Sequence, residues 1–324
     1  MDAAVIRDPS LPVYDGRTKI YESYFALVRP AQDRLLWLRY TISHWKHGAH
    51  GAVWMLDFSP KGVDAKRSPV PVEKIEVSNT HLFLKLGSSM LQKGLMRGIL
   101  DDTSWRLSYE VPSADFRYLP FDFLYRIKEF PEMKLVSPSL ITRFYGDLRQ
   151  GSKNMVIDGA PGMIGHNWTW KGFPYQWVWV HALFGGEQGP VVLEAAASRI
   201  APWSPFIGVG ILALPERFWR FNSPGSIALN RFSLSSDELK IKLDTVGSPI
   251  LKARIRPAGP KARLCYLDPD GKEGTLEFSG LATADVTLAH SDKGLPFIEA
   301  KGIAALEVMT RDRCKDFILT DKEG

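Results

Sequence analysis

The chain has 324 residues, 45% hydrophobic and 24% charged, with a net charge of +5. That length exceeds what one compact core usually holds, and the composition is that of a soluble globular protein, not a disordered chain. The lysines and arginines are dispersed with no block that would track a phosphate backbone. Nucleic acid is therefore excluded as a partner, and the mild basicity leaves peripheral contact with an anionic membrane open.

Asp2, Arg7 and Asp8 interrupt the N-terminus where a signal peptide needs an apolar run, and no apolar stretch reaches the roughly 18 residues of a membrane span. The expectation is a cytoplasmic protein, with any membrane association confined to the surface. Cys265 and Cys314 are too few for a disulfide framework and leave one bridge open.

The predicted elements are short and two-periodic. "YESYFALV" (21–28), "LLWLRYTI" (35–42), "AVWMLDF" (52–58), "HLFLKL" (81–86) and "SWRLSYEV" (104–111) read as strands. In the last, Trp105, Leu107 and Tyr109 share one face and Arg106 and Ser108 the other. Asp101 and Asp102 mark a turn before it. The proline-punctuated middle holds either a short helix over 123–130 or extended chain. "PVVLEAAASRI" (190–200) follows an aromatic segment, and the C-terminal third returns to alternating strands around the turn "DPDG". Many short strands with close turn signals predict an all-β chain of sandwiches or barrels. The prolines of "RIAPWSPFIG" place the boundary near residue 200, giving domains over 1–200 and 201–324.

The segment "GMIGHNWTWKGFPYQWVWVHALFGG" (162–186) concentrates four tryptophans and two histidines. Read as a hairpin, it puts His166, Trp168 and Trp170 on one face of the first strand. Tyr175, Trp177, Trp179 and His181 then share a face of the second. The bland reading is a barrel interior filled by its own aromatics. The sharper one is an aromatic cavity for a flat apolar ligand, whose π faces would also stabilise a developing cation. His166 is the first candidate proton donor, since imidazole titrates near working pH, against the alternative of a histidine satisfied by backbone. His181 is a weaker one. Asn167 would orient a substrate oxygen. Glu22, Asp57, Asp122 and Glu194 lie in apolar stretches, where burial raises a carboxyl pKa, unless each is held in an ion pair. Asp57 and Glu194 join the catalytic set. Trp37 and Arg39, on the second predicted strand, join the ligand-binding set.

"HWKHGAH" spaces His44, His47 and His50 three apart, but it lies between two predicted strands without a cysteine or acidic ligand, so a solvated hairpin loop is the better reading. There is no Walker A loop, no G-x-S-x-G and no H-E-x-x-H, and "GAPGMIG" precedes no predicted helix. The expectation is no metal and no cofactor.

Three stretches together carry a resemblance. "YESYFALVRPAQDRLLWLRYTI" with "GAVWMLDF", "SPSLITRFYGDLRQGSKNMVIDGAPG" and "MIGHNWTWKGFPYQWVWVHALF" resemble tocopherol-cyclase-like and carotenoid-hydratase-like (hydroxyneurosporene synthase) proteins over roughly residues 20–200. The resemblance implies two lipocalin-like (calycin-type) β-barrels and cofactor-free chemistry on isoprenoids or polyenes. Such proteins cyclise, hydrate or rearrange double bonds by protonation, and some fungal relatives assist cycloadditions. Its signature residues here are Gly165, His166, Asn167, Trp168, Trp177 and Trp179, with Thr169 where the family more often has glycine.

The leading functional expectation is therefore a cyclase, hydratase or isomerase that protonates a double bond of a hydrophobic polyene, isoprenoid or prenylated small molecule. One alternative is a carrier with the same pocket and no chemistry. The other is a carbohydrate-binding β-sandwich, for which the aromatic segment supplies stacking faces but no nearby carboxylate pair. The sequence does not set the oligomeric state.

Overall fold

The computed structural model describes residues 8–45, 48–111, 115–128, 130–185, 190–215, 217–246, 249–289, 298–312, 314 and 318–320. The chain is almost entirely β and forms two barrel-like sheets, one nearly closed and one a half-barrel, as in lipocalin-like domains. The first sheet contains β1 (Ile20–Ala31), β2 (Arg34–Trp45), β3 (Gly48–Ser59), β4 (Gly62–Pro71), β5 (Ile75–Ser78) and β6 (Phe83–Leu86). It is completed by β7 (Ser89–Gln92), β8 (Leu95–Leu100), β9 (Thr103–Tyr109), β10 (Phe116–Arg117), β11 (Met133–Gln150) and β12 (Lys153–Thr169). Its order is β4-β3-β2-β1-β12-β11-β9-β8-β7-β6-β5, with β10 on β11.

The second sheet contains β13 (Gln176–Phe184), β14 (Val191–Arg199), β15 (Ile207–Ala213), β16 (Phe218–Arg220), β17 (Arg231–Leu234) and β18 (Leu239–Leu243). It is completed by β19 (Ile250–Arg256), β20 (Lys261–Leu267), β21 (Glu273–Ala289), β22 (Ile298–Thr310) and β23 (Leu319–Thr320). Its order is β16-β15-β14-β13-β22-β21-β19-β18-β17, with β20 between β21 and β23. A single short α-helix among the described residues, Pro224–Leu229, starts at Ser223, whose side chain accepts from the Ser226 amide.

The first-sheet strands anticipated from alternation are present: Trp105, Leu107 and Tyr109 are buried while Arg106 and Ser108 are exposed. Where the proline-punctuated middle allowed a short helix over 123–130, a 3-10 turn spans Asp122–Tyr125. The change of sheet falls between Thr169 and Gln176, so the division drawn near residue 200 runs through the second sheet. The aromatic hairpin is likewise corrected. Strand β12 has both edges filled, by β1 and β11, so β13 cannot pair with it and pairs instead with β14 and β22.

The central strands are buried on both faces, and that sorts their side chains into three cores. Tyr24, Ala26, Val28, Leu36, Leu38, Tyr40, Ile164 and Trp168 fill the first barrel. Val178, Val180, Ala182 and Phe184 fill the second. The alternate residues, including Phe25, Leu27, Trp37, Trp54, Trp177, Trp179 and Leu183, form a third core between the barrels with Tyr266, Phe278 and Met309. Trp37 stacks on Phe278 at 4.4 Å, and Phe25 meets Trp179 edge-on at 5.4 Å. Gly165 permits the second contact: a Cβ there would meet the Phe25 ring at 2.2 Å.

Cys265 and Cys314 form a disulfide across a sequence separation of 49. Closing a loop of that length restricts the unfolded chain, and reduction is expected to cost about 2–4 kcal/mol of stability. Chemical denaturation with and without dithiothreitol measures this directly.

Candidate active site

The aromatic segment serves two different places. His166 and Trp168 lie inside the first barrel, where the imidazole stacks on Tyr24 at 3.9 Å and on Trp168 at 4.6 Å. His166 Nδ1 donates to the Pro9 carbonyl at 3.0 Å, and Nε2 meets Glu22 Oε1 at 2.8 Å. The Glu22 carboxylate also accepts from the Val13 and Tyr14 amides, both at 2.7 Å, and the Tyr24 hydroxyl donates to the Ser10 carbonyl. These bonds strap residues 9–14 to the barrel. Both imidazole nitrogens are thus occupied by protein groups. His166→Ala is expected to lower stability by about 2–4 kcal/mol, through lost packing and hydrogen bonds, and to spare activity. Thermal melts read against turnover distinguish this from a proton donor.

Other anticipated residues also fall outside the inter-barrel layer. Asp57 is held in a bidentate ion pair by Arg34, with Nε at 2.9 Å, and Asp122 pairs with Arg117 at 2.8 Å. Trp170 is half-buried with the Lys134 ammonium 5.1 Å from its ring, and Tyr175 lies under Arg199 at 5.7 Å. Thr169 Oγ1 donates to the Lys171 carbonyl and accepts its amide, so it shapes the turn that leaves β12. His44 and His50 sit on paired strands one register step apart and so face opposite sides; His47 lies outside the described residues.

The remaining candidates converge between the barrels. Trp177, Trp179 and His181 form one row on β13, and Glu194 stands opposite His181 on β14. Glu194 is completely buried. Its Oε1 accepts short hydrogen bonds from the hydroxyls of Tyr118 and Ser137, and one from Trp179 Nε1 at 3.2 Å. Tyr118 and Ser137 come from the first sheet side and Glu194 from the second, so both halves of the chain build this group. Burial pushes the Glu194 carboxyl up to about 7, against the opposing pull of its donors. Its Oε2 has no protein partner. With three donors on Oε1, the neutral acid carries its proton on Oε2.

His181 is buried beside it. Nε2–H donates to the Leu140 carbonyl at 3.0 Å, which leaves Nδ1 as a lone pair without a protein partner. Burial first, and then the Arg29 charge, hold this imidazole down to about 4, so it is neutral at physiological pH.

Arg39 occupies the other end of the layer. Its guanidinium donates to Ser23 Oγ at 2.6 Å, to Tyr21 OH at 3.0 Å and to Tyr266 OH, and lies 5.1 Å from the Trp37 ring. Asn167, opposite Ser23 in register, has an Oδ1 without a protein partner. Glu307, on β22, accepts from Trp177 Nε1 at 2.7 Å, and burial raises its carboxyl against the pull of Arg39.

Sequence reasoning missed Glu307, Tyr118, Ser137, Tyr21, Ser23 and Tyr266. Glu307 carried a usable signal, a lone acid in the apolar run "IAALEVM". The hydroxyls carried none, because their role depends on strands far away in sequence.

Among the described residues, this layer holds several buried polar atoms without a protein partner: Trp37 Nε1, Asn167 Oδ1, His181 Nδ1, Glu194 Oε2 and both terminal nitrogens of Arg29. Buried polar groups are ordinarily satisfied. These exceptions, beside two raised carboxyls and a row of indoles, make the layer the candidate site.

No protein-family model and no curated protein matches the chain. Solved structures do. An AttH-like protein from Nitrosomonas europaea superposes with a TM-score of 0.57 at 12% identity, covering 91% of this chain and 93% of the other. Kievitone hydratase from Nectria haematococca gives 0.53 at 10% identity, covering 93% and 94%. CghA in complex with Sch210972 gives 0.62 at 12% identity, covering 90% and 88%. At such identities the shared property is the fold, and the chain is a lipocalin-like two-barrel protein of the same architecture as these three.

Proposed function

We propose that this protein is a hydratase- or cyclase-type enzyme in which Glu194 protonates a double bond of a hydrophobic small molecule between the two barrels. The observation that carries the reading is a carboxyl titrating near pH 7 with one oxygen unpartnered beside indole faces. In the neutral form Glu194 gives its Oε2 proton to one carbon of the alkene, leaving a carboxylate and a carbocation. The faces of Trp179, Trp177 and Phe25 stabilise that cation, each by roughly 0.5–2 kcal/mol. Water, an internal hydroxyl or loss of a neighbouring proton quenches it, and the proton released returns to Glu194. Asn167 accepts from a substrate hydroxyl. A polyene or prenylated ring suits these walls, and the hydratase and the CghA complex among the similar folds agree in kind with this chemistry.

No helix among the described residues is long and apolar enough to cross a membrane. The Cys265–Cys314 bridge favours an oxidising compartment over the cytoplasm anticipated from the sequence.

The test is a turnover assay on prenylated phenols and polyenes, followed by a pH profile. The acid is active below its pKa, so the rate is expected to fall as pH rises through about 7. In Tyr118→Phe one donor that lowers the carboxyl is gone, and the descending limb is expected to move to higher pH. A limb that stays in place would remove Glu194 from the assignment.

A further inference from the structure

The inter-barrel row Trp177, Trp179, His181 continues to Leu183, which lines a cavity of about 610 Å³ with Arg29, Phe184, Pro161 and Ile303. Arg29 is 3% exposed. Neither of its terminal nitrogens has a hydrogen-bond partner, and no carboxylate among the described residues pairs with it. Burial lowers its guanidinium only to about 10, so the charge persists at neutral pH. A buried charge without a counterion is costly, so replacing an unpaired one with an apolar side chain of similar size ordinarily relieves the fold. An arginine fork matches a carboxylate in two parallel hydrogen bonds, which a point charge does not. The walls around it are mostly aliphatic, aromatic and proline, with the exposed Gln32 and Lys301 as the other polar side chains.

We propose that this cavity binds the carboxylate of an amphiphilic small molecule on Arg29, with the apolar body on Leu183, Phe184 and Ile303. This deepens the function above by naming the substrate class, and rests on it only for the direction of the body, since Leu183 stands one repeat from His181 on the same face. The enzyme then acts on an acid: a hydrophobic chain or ring system ending in a carboxylate, anchored at Arg29 with its unsaturated part toward Glu194.

The test uses the full chain and three probes, decanoate, 1-decanol and decyl phosphate, titrated at pH 8 by calorimetry. Decanoate is expected to bind about 10-fold or more tighter than decanol, the difference a charge-assisted bidentate pair makes. Arg29→Met is expected to bring decanoate down to the level of decanol without changing decanol, and to melt at or above wild type in the absence of ligand. Arg29→Lys keeps the charge without the fork and is expected to retain only part of the preference. Equal binding of decanoate and decanol, or a preference that survives Arg29→Met, overturns the proposal. Tighter binding of decyl phosphate overturns the carboxylate assignment. A large drop in melting temperature for Arg29→Met shows a structural guanidinium and also overturns it. Glu194→Gln separates the two readings: it is expected to keep the decanoate preference, so turnover surviving in that variant refutes the acid assignment while leaving the carboxylate site standing.

Discussion

Glu194→Gln is expected to reduce turnover by roughly 10²–10⁴-fold, the usual contribution of a positioned general acid, while leaving the barrels folded. The amide matches the neutral carboxyl in shape and lacks the transferable proton. The same variant carries a stability signature. The Glu194 pKa is raised in the fold to about 7 from an ordinary 4.5. The folded state therefore binds more protons than the unfolded chain between these values, and stability falls as pH rises across that window. The stabilisation is complete below about pH 4.5 and lost above about 7, a difference on the order of 3 kcal/mol for this fully buried group. Glu307 acts in the same direction. His181 has the opposite sign: its pKa is depressed to about 4, so stability is lost as pH falls from the ordinary 6.5 through that value. Because His181 offsets Glu194 in the wild type over nearly the same window, the expected signal in a pH series of denaturation curves is a difference: the stability of wild type relative to Glu194→Gln falls by on the order of 3 kcal/mol from pH 4.5 to 7. A variant with full activity and an unchanged pH dependence would show that the carboxyl neither reacts nor titrates as assigned.

Trp37→Ala is expected to be among the most destabilising single changes, at about 3–5 kcal/mol. Trp37 is buried, stacks on Phe278 of the second sheet at 4.4 Å and lies 5.1 Å from the Arg39 guanidinium. Its removal opens a cavity in the core the barrels share and loosens an arginine that also donates to Ser23, Tyr21 and Tyr266. Equilibrium denaturation is the measurement. Because this core joins the two sheets, the wild type is expected to unfold in one transition and the variant to separate into two. A loss below about 1 kcal/mol would mean that the barrels are held mainly by other contacts.

The candidate site was only partly legible in the sequence. Alternation and residue type single out Glu194, Trp177, Trp179, His181, Trp37, Arg39 and Asn167, and these side chains lie along the layer between the barrels. His166 was ranked first because a histidine in an apolar strand has no visible partner, yet its partners Pro9 and Glu22 lie 157 and 144 residues away in sequence. Asp57 was singled out for the same reason, and its partner Arg34 sits on the neighbouring strand. Burial looks alike in sequence whether a polar group is satisfied or left open. That difference depends on the second atom of each hydrogen bond, which local pattern does not supply.

What the sequence determined by itself was local. Side-chain alternation and β-branched and aromatic content set the strands, and turn residues such as Asp101 and Asp102 set several of their ends. Alternation also divided each central strand into two rows, such as Val178, Val180 and Ala182 against Trp177, Trp179 and His181. The tertiary structure decided which row faced a barrel interior and which faced the other barrel. It also decided that β13 joins β14 and β22 in place of β12. The physical reason is that these strands are buried on both sides. Hydrophobic burial then stabilises either assignment of a row equally well. Only hydrogen bonding along strand edges, between residues as distant as Trp177 and Met309, and the docking of one sheet on the other break the tie.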